Sequence, residues 1–518
     1  ASNNTASGYL ALFNNTTGGS NTAFGTSALT NNTTASTNTA VGYASMQDTT
    51  TGSNNVAIGY EALGDNTTAV GNAAAGYKAL RFNTTGASLS AFGAYALYNN
   101  TTGSNNTGVG YGSLSANTTG ASNTALGESA LYANTTGNSN VAVGQSALDA
   151  NTTGSNNVAV GRYTLTTSTT GYSNVAVGYA TAYSITTGFN NTAIGESALN
   201  ANTTASNNTA VGQTSMYYNT TGNSNTAVGV NSLKGNTTGI SNTAVGMSAL
   251  QSNTTGTLST AIGRDALKSS TTANSNTAVG REALRDTTTG GENVAIGLNA
   301  MAVNTTGPRN TAIGKQSLQN LTTGDNNTAI GFMSGYDTVA LTTGYGNTLL
   351  GTYARTNAAN ANYANVLGQQ VSGAGGYTTL GLGSNDIRVS HGSTGWSTVS
   401  DERYKKDITT STAGLSFVNE LRPVTWNYKT LGELPETFSA YKADSTKVFK
   451  NTQTNHGFIA QEVKAVIDNH SEIKDGFRMW DDRDDGSQEV AEAALIPVLV
   501  KAIQELSTQN AALAARLT

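Results

Sequence analysis

Cysteine is absent from this 518-residue chain, and only four residues are proline. Without cysteine the fold contains neither disulfide bonds nor thiolate metal sites, so backbone pairing and packing must hold it together. Charged residues make up 11% of the chain and the net charge is −5, which leaves no basic surface for nucleic acid. No apolar run approaches the length of about 18 residues that a membrane span needs. The three histidines are scattered without metal-ligand spacing, so we expect no metal and no cofactor.

What the sequence has instead is a repeat of 17 residues. One copy runs from Asn225 to Ser241, and the next begins at once with Asn242. The glycine that follows an apolar pair, which we term the phase glycine, recurs at this period from Gly8 to Gly331 and marks 20 copies without an insertion. A fixed period sustained over so many copies is typical of a solenoid of stacked units rather than of a globular core.

Each copy carries two short apolar segments separated by turn residues. In one copy Ala227 and Val228 precede the phase glycine, Leu233 follows it, and Asn236–Gly239 reads Asn-Thr-Thr-Gly. Asn, Thr and Gly favour turns, and the glycines interrupt every run before a stable helix could form. The repeat therefore predicts a mostly β chain, a parallel β-solenoid with two strands of about five residues in each coil.

The apolar pair predicts that the solenoid does not stand alone. Ala227 and Val228 are adjacent, yet neighbouring strand residues point to opposite faces. One of them can face the interior, and the other needs a cover from outside. Because one Val and one Leu per coil bury too little apolar surface to order the whole coil, we expect a symmetric bundle of identical chains.

The Asn-Thr-Thr triplet of almost every copy is formally an acceptor for N-glycosylation. We interpret the triplets as turn residues that the coil requires, and the sequence alone leaves glycosylation open.

Composition changes sharply near residue 400, because 32 of the 57 charged residues lie in 401–518. We predict a solenoid shaft over 1–335, a degenerate repeat or connector over 336–399, and a small α+β domain over 400–518. Within 336–399, Asn385–Ser390 predicts a strand.

The last region is predicted to contain helices over Gly414–Leu421 and Ala460–Asp468 and a strand over Val424–Tyr428. Its final helix, over 495–518, has the heptad pattern of a coiled coil, with spacings that alternate between three and four. The heptad residues are Ile496, Leu499, Ile503, Leu506, Asn510, Leu513 and Leu517. An amphipathic helix packed on its own domain is the alternative, because three heptads are close to the minimum for a coiled coil.

Ser400 and Lys405 are the candidate catalytic residues. A neutral lysine five residues from a serine can take the hydroxyl proton, and the serine would then attack the carbonyl of Val399, which makes Val399–Ser400 the candidate cleavage site. This requires burial to lower the pKa of Lys405. From spacing alone, a solvated loop or a helix start capped by Ser400 or Asp401 is the simpler interpretation.

The segment Ser400–Ile408 resembles the S-D-x-R-x-K-x-x-I opening of the peptidase S74 family, the intramolecular chaperones of endosialidases and phage tail fibres. The resemblance continues through Leu421–Trp426 and His456–Val463 and returns near Ala502–Leu506 in the closing helix. It implies a domain that trimerises the chain, guides β-fibre assembly and then cuts itself off, with Ser400 as nucleophile and Lys405 as base. Such an enzyme acts on its own chain, with no external substrate and no cofactor.

The repeats are similar to the head repeats of trimeric autotransporter adhesins, which form parallel β-rolls in trimers. Together the resemblances imply an extracellular homotrimeric fibre, of a virion or a cell-surface appendage, that contacts a host glycan or receptor. A bacterial surface adhesin is the alternative, and a polysaccharide-degrading tailspike is less favoured because the array offers no carboxylate pair in a cleft. The tyrosines after phase glycines, such as Tyr9, Tyr43 and Tyr60, either line a sugar-binding surface or pack outward.

Overall fold

The computed structural model describes residues 2–336, 339–393, 395–398, 400, 402–474, 477, 479–482 and 487–517. The chain divides into two compact units, Ala1–Val399 and Ser400–Thr518.

The first unit is a parallel β-solenoid with one three-residue strand in each regular coil. Each strand pairs in parallel with the strand one coil away, so that Thr226 faces Thr243 and Ala227 faces Ala244. The predicted parallel solenoid is thereby confirmed. Its strands are β1 (Thr5–Ser7), β2 (Thr22–Phe24), β3 (Thr39–Val41), β4 (Val56–Ile58), β5 (Ala73–Ala75), β6 (Ser90–Phe92), β7 (Thr107–Val109), β8 (Thr124–Leu126), β9 (Val141–Val143), β10 (Val158–Val160), β11 (Val175–Val177), β12 (Thr192–Ile194), β13 (Thr209–Val211), β14 (Thr226–Val228), β15 (Thr243–Val245), β16 (Thr260–Ile262), β17 (Thr277–Val279), β18 (Val294–Ile296), β19 (Thr311–Ile313), β20 (Thr328–Ile330) and β21 (Thr348–Leu350).

The prediction of two five-residue strands per coil is wrong, and the reason lies in the residues after the phase glycine. Ser27 and Leu29 both adopt left-handed backbone, with φ of 59° and 50°. The Ser27 amide donates back to the carbonyl of Tyr9 at 2.8 Å, whereas the Leu29 amide donates forward to the carbonyl of Ser45 at 3.1 Å. Left-handed residues break the pleat, so this segment pairs with both neighbouring coils without forming a strand.

The interior of the solenoid is narrow and partly polar. One coil contributes Ala244 from its strand and the pair Ala249 and Leu250 from the turn, all at 0% exposure. Asn242 and Asn253 are buried in the same coil. Small side chains keep the coil thin, and the asparagines must find partners inside it because a buried amide without a hydrogen bond is costly.

These buried asparagines form ladders along the solenoid. Asn117 donates from Nδ2 to Oδ1 of Asn100, one coil earlier, at 2.7 Å, and to the Gly120 carbonyl at 2.9 Å. Asn134 donates in the same way to Asn117 at 2.8 Å. Each of these residues begins an Asn-Thr-Thr triplet and is fully buried, so the folded coil withholds the triplet from glycosylation and the turn interpretation is the better one.

The outward-facing residues are sorted by position in the coil. The first and third residues of β1–β21, which we call the outer strand face, include no charged residue. Third-position side chains such as Val228, Ile262 and Ile296 are 37–41% exposed in the single chain. In contrast, 18 of the 21 charged residues in 2–335 lie among the six residues that follow a phase glycine, which we call the charged edge.

The solenoid continues past the regular repeat and ends in an antiparallel hairpin. Strands β23 and β25 extend the parallel stack, and β26 and β27 add to β25 in antiparallel order. An antiparallel cover keeps the last parallel strand from pairing with another chain. The predicted strand over Asn385–Ser390 is confirmed as β26. These elements are β22 (Arg355–Thr356), β23 (Asn365–Gln369), β24 (Ser372–Gly373), β25 (Tyr377–Leu382), β26 (Asn385–Ser390) and β27 (Ser397–Thr398), with β22 and β24 paired in parallel.

The second unit is a small α+β domain around the buried side chains of Phe417, Val463, Ile467 and Val498. The helices and the strand predicted from the sequence are all present, with ends that differ by no more than about two residues. The elements are α1 (Leu415–Glu420), β28 (Val424–Trp426), β29 (Asn455–Gly457), α2 (Ala460–Asn469), β30 (Trp480–Asp482), β31 (Gln488–Val490) and α3 (Ile496–Leu517), with 3₁₀ turns at Glu402–Tyr404, Leu431–Glu433 and Glu492–Leu495. Strands β28 and β29 pair antiparallel, as do β30 and β31.

Closing a gap in the asparagine ladder is expected to stabilise the solenoid. Asn151 Oδ1 and Ser168 Oγ are buried and have no hydrogen-bond partner among the described residues. An asparagine at 168 would donate to Asn151, so Ser168→Asn should raise the free energy of unfolding by about 1 kcal/mol in guanidinium titrations. Ser168→Ala is the control, since it removes the unpaired hydroxyl without adding a donor. An equal gain from Ser168→Ala would show that the ladder bond contributes nothing.

Candidate functional site

The second unit brings the two candidate catalytic residues into contact. Lys405 Nζ donates to Ser400 Oγ at 2.8 Å. The contact arises because the 3₁₀ turn Glu402–Tyr404 folds the chain back, with the Lys405 amide donating to the Glu402 carbonyl at 2.9 Å. Val399, on the other side of the candidate scissile bond, lies outside the described residues.

Both members of this pair are exposed in the single chain. A lysine serves as a general base only when burial favours its neutral form, because water stabilises the ammonium. Ser400 Oγ and Lys405 Nζ lie within hydrogen-bonding distance, and the single chain leaves both residues exposed.

An arginine–carboxylate pair joins two of the motif segments found in the sequence. Arg422, just before β28, donates from Nε to Glu462 Oε2 at 2.9 Å, and a second guanidinium nitrogen contacts the other carboxylate oxygen. Bidentate pairing of this kind fixes orientation as well as distance. The hydrogen bonds from Arg422 lower the pKa of Glu462. The pair thus sets the start of β28 against the first turn of α2.

The glycine of the His-Gly-Phe segment packs closely against two side chains. A Cβ at Gly457 would lie 2.6 Å from Glu492 Oε1 and 3.0 Å from the ring of Trp426. Trp426 lies on β28, which pairs with β29, so this approach places the two-stranded sheet against the turn that carries Glu492.

His470 links two helices from inside the domain. Its side chain is only 10% exposed, with Nδ1 2.9 Å from Glu472 Oε1 and Nε2 3.2 Å from Glu420 Oε1. The ring also packs edge-on against Phe417. The hydrogen bond with Glu472, together with Glu420, outweighs burial and raises the pKa of His470. The sequence gives no local signal for the contact with Glu420, because the two residues are 50 positions apart.

The terminal helix contacts its own domain through residues that do not belong to the heptad pattern. Val498 and Ala502 of α3 are buried, and Glu505 accepts the Leu415 amide at the start of α1 at 2.8 Å. All seven heptad residues are exposed, among them Ile503 at 65%. The helix thus packs on its own domain, as in the alternative interpretation, but through residues outside the heptad pattern. The heptad residues stay exposed in the single chain, and the coiled coil remains a prediction.

Comparison with known proteins identifies the start of this unit. Residues 400–472 match the model of the peptidase S74 family, described as the chaperone of endosialidase. The match covers the Ser400–Ile408, Leu421–Trp426 and His456–Val463 segments and confirms the resemblance there, whereas the Ala502–Leu506 segment lies outside it. No curated protein and no solved structure matches the chain.

Among the residues that the structure describes, no three His, Asp or Glu side chains are grouped so as to hold a metal ion. Within the same described ranges, no helix combines the length and the apolar character needed to cross a bilayer.

The His470 contacts predict a pH dependence for the second unit. The folded pKa of His470 is raised, so its contribution is fully present below the unfolded value of about 6.5 and is lost as pH rises through the folded value. The pKa of Glu472 is lowered by the same contact, so its part is lost as pH falls below about 4.5. The unit should therefore be most stable between these limits.

Tryptophan fluorescence during thermal unfolding of the full chain measures this. In the wild type, the midpoint temperature of unfolding should decrease as the pH is raised from about 6 to about 8. In His470→Gln, the midpoint temperature should change little over the same pH range. His456→Gln is the matched control, because His456 is exposed in the same unit and should leave the profile unchanged. A profile for His470→Gln that overlays the wild type would contradict the assignment.

Proposed function

We propose that this chain is an extracellular, self-associating fibre of the phage tail-fibre or tailspike kind, with the solenoid as shaft and the unit that starts at Ser400 as an intramolecular chaperone that drives homotrimerisation. The observation that carries the proposal is the family match at 400–472 together with a solenoid whose outer strand face holds no charge over 21 strands.

The outer strand face supports self-association of the shaft. Its third-position residues are mostly Val, Ile, Leu and Phe, and Phe24, Ile58 and Leu126 are each close to half exposed or more. A continuous apolar strip of this length is unusual for a surface in water and marks an interaction site. A second copy of the same chain matches the strip along its whole length, because both have the same period.

The terminal helix supports the same assembly at the other end of the chain. Its exposed heptad residues are arranged as in coiled coils, and Asn510 stands at one heptad position, where a buried polar residue fixes register. Domain contacts made through Val498 and Ala502 leave this stripe free for neighbouring copies.

The exposed Ser400–Lys405 pair fits self-cleavage that follows assembly. Burial by neighbouring copies would favour neutral Lys405, which takes the proton of the Ser400 hydroxyl. The oxygen then attacks the carbonyl carbon of Val399, and Lys405 returns the proton to the Ser400 nitrogen. The bond from that carbon to the nitrogen breaks, and an ester to Ser400 Oγ forms. Water hydrolyses the ester, which leaves a carboxylate on Val399 and a free amine on Ser400.

A charge on the outer strand face is expected to disrupt the fibre. Val228 and Val230 belong to one coil and are 37% and 41% exposed, but Val228 lies on the outer strand face and Val230 on the charged edge. Val228→Lys should lower the assembled mass in light scattering, because burying an unpaired ammonium is costly. Val230→Lys should assemble normally, since Lys315 occupies the equivalent position of another coil. An equal assembled mass for the two variants would contradict the proposed interface.

Self-cleavage is tested by intact mass and by N-terminal sequencing of the products. Wild-type protein should yield a fragment that begins at Ser400, whereas Ser400→Ala and Lys405→Met should slow its appearance by about 100-fold or more. Lys406→Met is the matched control, as the neighbouring lysine has no assigned role. Cleavage at an unchanged rate in Ser400→Ala would exclude the pair, and an uncleaved but assembled wild type would leave only the chaperone role.

A further inference from the structure

Seven aromatic residues form one continuous cluster on the charged edge of five consecutive coils. Successive ring centroids lie 5.1 Å apart for Tyr43 and Tyr60, 5.3 Å for Tyr60 and Tyr77, 5.4 Å for Tyr77 and Tyr95, and 6.0 Å for Tyr95 and Tyr111. We call the set the aromatic cluster; it consists of Tyr43, Tyr60, Tyr77, Phe82, Tyr95, Tyr98 and Tyr111.

The aromatic cluster lies on the charged edge, away from the outer strand face, so the proposed self-association does not account for its exposed rings. Tyr43, Tyr60, Tyr77 and Tyr111 directly follow phase glycines and are 42–58% exposed. In other coils the same position holds exposed charged residues such as Glu128, Arg162 and Arg264. A position that carries exposed charged side chains elsewhere along the shaft faces solvent in an assembled fibre, so the rings are not there to be covered by another copy.

The charges beside the aromatic cluster are paired with one another. Lys78 Nζ lies 5.3 Å from the Tyr77 ring centroid and 3.7 Å from Glu61 Oε2. Arg81 donates to Glu61 at 3.1 Å and also pairs with Asp65. Two cations and two carboxylates leave this part of the surface locally neutral, and a polyanion would gain little there.

We propose that the aromatic cluster is a binding surface for an uncharged glycan chain that runs along the solenoid axis. Phenol side chains offer an apolar ring and a hydroxyl, which suit the C–H faces and hydroxyl groups of sugars. The rings recur once per coil, so a polymer of repeating units meets the same group at each step. Contacts between rings hold them in place before the ligand arrives, which reduces the entropy lost on binding.

This assignment deepens the proposed function, on which it rests for the claim that the charged edge stays exposed in the fibre. The test is calorimetric titration of the full chain with dextran, mannan and β-glucan oligosaccharides, and with polysialic acid as a charged probe. At least one uncharged probe should bind, and Tyr60→Ala with Tyr77→Ala should weaken it by about tenfold or more. The matched control is Tyr172→Ala with Phe189→Ala, a stacked pair 4.9 Å apart that lies off the charged edge.

Each outcome decides the matter. The assignment would be overturned if the chain bound only polysialic acid, or if it bound none of the uncharged probes. It would also be overturned if the Tyr60/Tyr77 variant bound an uncharged probe with the same affinity as the wild type. Light scattering on the same samples keeps the two proposals apart. A chain that binds glycan as a monomer contradicts the fibre, whereas an assembled chain that binds no glycan contradicts only the aromatic cluster.

Discussion

Stacking of each regular coil on the next, with residues 17 positions apart in register, is the constraint on which the rest of the solenoid depends. Strand ladders, turn amides and side chains all follow it, as when Thr152 Oγ1 donates to the Thr169 carbonyl at 3.0 Å. Because every coil stacks directly on the next, the phase glycines meet backbone to backbone, and a Cβ at Gly229 would lie 2.7 Å from the carbonyl of Gly246. The regular repeat is thus held by close backbone packing that leaves no room for a larger residue at the phase glycine, although a coil of 20 residues is accommodated between β20 and β21.

The same constraint keeps the interior too small to satisfy the chain by itself. A coil closed around two alanines, one leucine and two asparagines has no room for the apolar residue that ends each strand, which is left outside. The outer strand face carries no charged residue, whereas most of the charged residues of the solenoid lie on the charged edge. This segregation gives the solenoid one uncharged, largely apolar face and one edge that carries most of its charges. The proposed self-association and ligand binding rest on this difference.

Much of this follows from the sequence, and the exceptions have physical causes. The period of the phase glycines predicts the parallel stack, and apolar spacing predicts the helices of the second unit. The second strand of the coil is not formed, because Ser27 and Leu29 adopt a left-handed backbone conformation that is not predicted from their residue types. The contact between Ser400 and Lys405 was anticipated from local spacing, whereas the His470–Glu420 contact spans 50 residues and leaves no local signal. The exposure of Ser400 and Lys405 in the single chain agrees with the solvated loop that this charged segment predicts.

The central claim is that copies of this chain meet through the outer strand face. The chain lacks cysteine, so a single cysteine at Val228 can carry a spin label at one defined position of the assembled, full-length protein. Electron–electron dipolar spectroscopy should then find short distances between copies, set by sheets that pack about 10 Å apart, and longer distances for a label at Val230. Labels at Val228 that show no coupling in assembled protein, or labels at Val230 that lie closer together, would contradict the account.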